Sequence, residues 1–171
     1  MKNLLTLATA TLLLAGCSTT AMIATNKELP QVYVDINKTH QVKNDVTITL
    51  LRFDNYTDTP KAGQRATNIV EGVLLAKGYN VTTHMQKEED SLSAAQAQAR
   101  KDNSKYFLKG GVSEWRYKTG IDGEPAVSIK LSLYKTQNAK LVWSATGADS
   151  DWGTGSIGTT AQKLIEKMTT K

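Results

Sequence analysis

The segment Ala126-Val127-Ser128-Ile129-Lys130-Leu131-Ser132-Leu133-Tyr134-Lys135 decides the fold. Val127, Ile129, Leu131 and Leu133 lie on one side of an extended chain, with Ser128, Lys130 and Ser132 on the other. Unbroken alternation of this kind is the pattern of a strand with one face in a core and one in solvent. Just upstream, Gly120-Ile121-Asp122-Gly123-Glu124-Pro125 reads as a hairpin turn with Asp-Gly at its centre, which makes residues 105–118 the partner strand. Downstream, residues 136–139 turn again, and Leu141, Trp143 and Ala145 continue one face of a third strand. A closing β-meander is predicted.

Further out, Val46, Ile48 and Leu50 alternate with Thr47 and Thr49, so residues 46–53 read as another half-buried strand. The polar stretch 54–63, with Pro60, reads as a loop. From Gln64 the period becomes helical: Ala66, Ile69, Val70, Val73 and Leu74 form a stripe, and Gly78 is placed to end it. Residues 79–85 read as a strand, and Asp90 or Ser91 caps a helix running to about Asp102. At the C-terminal end, Ile157, Ala161, Leu164, Ile165 and Met168 mark a last amphipathic helix. The order β-α-β-α-β-β-β-α describes a single α/β domain, a mixed sheet with helices packed on it, over residues 45–171.

Composition narrows the chemistry. The 171 residues are 40% hydrophobic and 22% charged, which fits one ordinary globular core and excludes wholesale disorder. A single cysteine and two histidines exclude a disulfide framework and any multi-cysteine metal site, and no cofactor or metal is expected. The formal charge is +5, with no arginine- or lysine-rich block of the kind that binds nucleic acid. No catalytic pattern stands out: His40 falls in a polar stretch and His84 in a strand, neither with a serine or cysteine partner. Gly110-Gly111 interrupts a strand, where glycine commonly marks a bulge rather than a phosphate loop. Glu114, Asp122 and Glu124 cluster near the hairpin, but acidic turns serve solubility without any hydrolase chemistry.

The N-terminus gives the address. Met1-Lys2-Asn3 precedes an apolar run, Leu4 to Ala15, too short to span a bilayer but right for a signal-peptide core. It ends in Leu14-Ala15-Gly16-Cys17, which resembles a bacterial lipobox. Residues 1–16 are then a leader, and Cys17 becomes an acylated N-terminus. Several acyl chains make such an anchor effectively permanent. Loss of Lys2 with the leader brings the charge to +4, 20 basic residues against 16 acidic. Ser18, rather than Asp, after the cysteine points to the outer membrane and its periplasmic face. Residues 17–44 read as the lipidated end and a tether rich in Ser, Thr, Asn and Lys.

Two aromatic features stand out. Glu114-Trp115-Arg116-Tyr117-Lys118 interleaves charge with rings, placing Trp115 and Tyr117 on a core face or on an intersubunit or sugar-contacting surface. Trp152 lies among small polar residues before the last helix, a setting that suits a membrane interface, a protein contact or a lid over the core.

Residues 114–127, Glu114 through the hairpin to Val127, closely resemble the PelC family of outer-membrane lipoproteins of Pel exopolysaccharide export. So do Val142-Trp143-Ser144-Ala145-Thr146-Gly147, Ala161-Gln162-Lys163-Leu164-Ile165, and the loop and helix start from Asn55 to Ala66. The resemblance spans roughly residues 46–168. It implies a non-enzymatic component: a homo-oligomeric ring, a dodecamer, on the periplasmic side of the outer membrane beneath a PelB-like β-barrel exporter. An electronegative funnel in that ring would collect a partly deacetylated, cationic amino-sugar polymer. By position, the resemblance makes Asp122 the funnel carboxylate with Glu124 beside it, and Trp152 the membrane-interface aromatic. Arg116 and Trp115 become subunit-interface or loop-anchoring residues. An LpoB-like activator of a periplasmic glycan synthase would share the lipobox and a small α/β domain, but would need a longer tether than residues 18–44 supply. A CsgG-like pore would need a spare pair of strands for its barrel.

Overall fold

A computed structural model of the chain describes residues 22–25, 46–86, 91–118, 123–151 and 155–170. Its elements are β1 (Met22–Thr25), β2 (Thr47–Leu51), β3 (Asp54–Asn55), α1 (Ala62–Ala76), β4 (Asn80–His84), α2 (Leu92–Lys101), β5 (Tyr106–Tyr117), β6 (Pro125–Lys135), β7 (Leu141–Ser150) and α3 (Ile157–Met168). The strands form one sheet in the order β1-β7-β6-β5-β2-β4, with β3 paired to β5. Pairing of β2 with β4 and β5, and of β3 with β5, is parallel, while β5, β6, β7 and β1 form the antiparallel part. This is the mixed α/β sheet with packed helices that the residue pattern predicts.

Connectivity explains where the helices sit. The chain leaves β2 through α1 to β4 on one side, then returns through α2 to β5 on the other side of β2. Right-handed crossovers in opposite directions put α1 and α2 on opposite faces of the sheet. Val70, Val73 and Leu74 of α1, with Leu164, Ile165 and Met168 of α3, cover Ile129, Leu131, Leu133 and Trp143 in the main core. On the other face, Ala95 and Ala99 of α2 close over Leu51 and Phe107. The small side chains let α2 approach while Phe107 stacks on Tyr134 at 5.1 Å between ring centres. Helix starts follow the sequence as well: Ser91 caps α2, and Ser156 with Thr159 forms a capping box at α3.

Four details differ from the sequence reading. Met22–Thr25, inside the stretch read as tether, pairs antiparallel with β7 as an edge strand. Asp54 and Asn55, read as loop, pair with Gly111 and Val112. Gly110-Gly111 is in regular register, and the irregularity falls just beyond it, between Val112 and Glu114. Leu141 is 36% exposed because the register slips between Leu133 and Tyr134, which sets it opposite Tyr134 and out of line with Trp143.

Candidate functional site

The hairpin end of the sheet gathers most of the residues singled out in the sequence. β5 ends at Tyr117, paired with Pro125, and Gly123 in the connection has φ +51°, the left-handed backbone expected of an Asp-Gly turn. Glu124 is buried. Its Oε2 lies 3.2 Å from Lys118 Nζ, which also donates to Ser150 Oγ at 3.2 Å. Its charge is therefore met within the chain by Lys118.

Trp115 is 2% exposed and packs in the main core. The alternation of residues in β5 put it on the core face. Tyr117 shares that face but lies past the end of the core and is 53% exposed. With Trp115, Arg65, Asn68, Ile69 and the start of α3, it lines an open cavity of about 400 Å³. Arg116 points to solvent, its guanidinium 3.0 Å from Glu114 Oε1. Along β7 and α3, Asp151 pairs with Lys163 at 2.9 Å and Asp149 with Lys167 at 3.6 Å. The hydrogen bond and charge of Asp151 raise the pKa of Lys163. Asp122, Trp152 and Cys17 lie outside the described residues.

A second polar cluster joins elements distant in sequence. Asp102, the C-cap of α2, accepts from Thr49 Oγ1 at 2.6 Å, His84 Nε2 at 2.9 Å and Gln98 Nε2 at 3.0 Å. Burial pushes the Asp102 carboxyl up, but the Thr49 and His84 hydrogen bonds, the charge of His84 and the Gln98 amide outweigh it and hold the pKa below its ordinary value. Sequence reading missed this cluster, because its members belong to three elements and follow no local spacing. It ties α2 to β2 and β4. Among the described residues, no group of His, Cys, Asp and Glu is placed to hold a metal, and no helix is long and apolar enough to cross a membrane.

No family model matches the chain, and no curated protein matches it significantly. Solved structures do. A dodecamer of a point variant of PelC from Paraburkholderia phytofirmans superposes with a TM-score of 0.70 at 31% identity, covering 86% of this chain and 95% of that one. A second PelC dodecamer from the same organism has the same TM-score and identity, with 87% and 95% covered. Lipoprotein GNA1162 from Neisseria meningitidis shares the fold at a TM-score of 0.57 and 16% identity, over 71% of this chain and 94% of its own.

Proposed function

The chain belongs to the PelC family, and on that premise we propose that it is a non-enzymatic, lipid-anchored protein of the outer membrane's periplasmic face, whose copies close into a ring that feeds a cationic amino-sugar exopolysaccharide to a β-barrel exporter. The observation that carries this reading is the match to PelC dodecamers across most of both chains. A one-signed concave lining concentrates and steers an oppositely charged polymer, and a symmetric ring repeats each subunit's carboxylate around the opening. The proposed lining is led by Asp122, with Glu124, paired to Lys118, beside it. The basic net charge requires that the lysines face away from the opening, toward the membrane or the ring exterior. Arg116, exposed and steered by Glu114, is the proposed subunit-interface residue, and acylated Cys17 the proposed anchor.

Asp122→Lys is expected to give a folded ring of normal mass that secretes several-fold less polymer, because it replaces each attracting charge with a repelling one. Secreted polysaccharide measured against ring mass by sedimentation tests this, and normal secretion from an Asp122→Lys ring refutes the funnel. Trp152, an amphipathic ring among small polar residues before α3, is proposed to seat the ring at the membrane interface. Trp152→Glu is then expected to loosen outer-membrane association while the lipid anchor persists. Unchanged salt-wash extraction would contradict that role.

A further inference from the structure

Gly110 and Gly111 clear seats for two aromatic rings on opposite faces of β5. A Cβ on Gly110 would come within 2.6 Å of the Phe53 ring on the core side. A Cβ on Gly111 would come within 2.9 Å of Tyr56 Cε2 on the other side. Successive strand residues face opposite ways, so one glycine pair serves both rings. Phe53 is buried, whereas Tyr56 is 73% exposed. The exposed ring is nonetheless anchored. Its backbone N–H donates to the Val112 carbonyl at 2.9 Å, and its hydroxyl donates to Asp54 Oδ2 at 3.3 Å. The loop after it is fixed by Asn55, whose Oδ1 accepts from the Thr57 N–H at 3.0 Å and whose amide donates to the Thr59 carbonyl at 2.9 Å.

The surroundings of that ring follow from the register. Asp54 pairs with Gly111, Gly111 with Lys130, and Lys130 with Thr146, so these positions form one row across the same face. The row reads carboxylate, aromatic ring, ammonium, hydroxyl. Lys130 is exposed and has no ion pair among the described residues. Beside the row, Ser113 Oγ donates to Ser128 Oγ at 2.9 Å. α2 covers this side of the sheet only at its Phe107–Tyr134 end.

We propose that this face is a sugar-binding platform: the Tyr56 ring stacks on the C–H face of a pyranose, Asp54 meets a ring ammonium, and Lys130 with Ser128 and Thr146 serves hydroxyl or N-acetyl oxygens. An anchored aromatic loses little conformational freedom when a ligand stacks on it. Around the Tyr56 ring, Asp54, Lys130, Ser128 and Thr146 supply charges and hydroxyls rather than the apolar centre that a protein partner needs. The choice of an amino-sugar rests on the export reading above, and this contact lies apart from the hairpin carboxylate.

The test is titration of the full-length chain with a partially N-acetylated glucosamine oligosaccharide, with sedimentation alongside. Tyr56→Leu is expected to weaken binding about tenfold with assembly mass and melting temperature unchanged. Tyr56→Phe should bind like the parent. Gly111→Ala, which keeps the tyrosine but lifts its ring, should fall between them. Equal affinity in Tyr56→Leu, or no binding by the parent chain, overturns the platform. A change of assembly mass in Tyr56→Leu also overturns it and makes the face a contact between copies. A ring that binds the sugar regardless of Tyr56 refutes this inference alone, while a chain that binds through Tyr56 but stays monomeric refutes the ring instead.

Discussion

Gly63→Ala is expected to remove a large part of the domain's stability. Gly63 lies in the first turn of α1, where a Cβ would stand 2.1 Å from the Phe53 carbonyl oxygen and 3.0 Å from its carbon. These are backbone atoms, so no rotamer change relieves the clash. The helix start and the strand end must separate, and a buried latch lies between them. Thr67 Oγ1 donates to the Gly63 carbonyl at 2.8 Å and accepts from the Phe53 N–H at 2.9 Å. Overpacking a tight site costs about 1–3 kcal/mol, and an orphaned buried N–H adds about 1–3 kcal/mol. Together these approach the lower end of a domain's total stability of about 5–15 kcal/mol. Gly72→Ala is the control in the same helix: nothing lies within 4 Å of a Cβ there, and the change should stabilise by about 1 kcal/mol. Urea midpoints measure both, and a Gly63→Ala midpoint near the parent's would show that α1 can slide along β2 at no cost.

That contact also shows where sequence reading stops. The alternation of Ala126–Lys135 and the stripes of α1 and α3 were legible because each element buries one face against a continuous core, and burial writes its period into the residues. Met22–Thr25 is too short to carry a period, and Asp54-Asn55 is held in the sheet by backbone pairing that any side chain would permit. Parity placed Trp115 on the core face but could not tell that the core ends before Tyr117. At the candidate site, residue types announced an acidic hairpin, yet whether a carboxylate is free depends on which lysine reaches it. Lys118 is only six residues from Glu124, and the choice between solvent and ion pair is set by the hairpin's register. The glycine pair looked like a break in a strand. Its purpose depends on Phe53 and Tyr56, more than fifty residues away, and so only the assembled sheet reveals it.

Replacing Asp102 should produce the other large loss, and its pH dependence identifies the cause. Asp102→Asn removes a carboxylate that receives three donors and turns an amide N–H₂ toward at least one of them. Hydrogen bonds to a charged group contribute about 1.5–3 kcal/mol, so a loss of about 2–3 kcal/mol is expected at pH 7. Because the folded-state pKa of Asp102 lies below that of the unfolded chain, the charged form favours folding. The contribution is complete above the unfolded value of about 3.9 and vanishes as pH falls through the lower, folded value. Parent and Asp102→Asn should therefore differ fully at pH 7 and converge in strong acid, where the parent's carboxyl is protonated too. A gap that stays constant down to the acid limit would assign the loss to shape rather than charge. Location matters as much as size. Besides this cluster, α2 is held only by two alanines in a small core and by Gln96 and Arg100 on the Thr136 and Gln137 carbonyls, among the described residues, so its amides should lose hydrogen-exchange protection first, while those of α1 and α3, bound to the main core, keep theirs. Uniform loss of protection across all three helices would mean that Asp102 supports the whole domain, and that the α2 face has no separate stability.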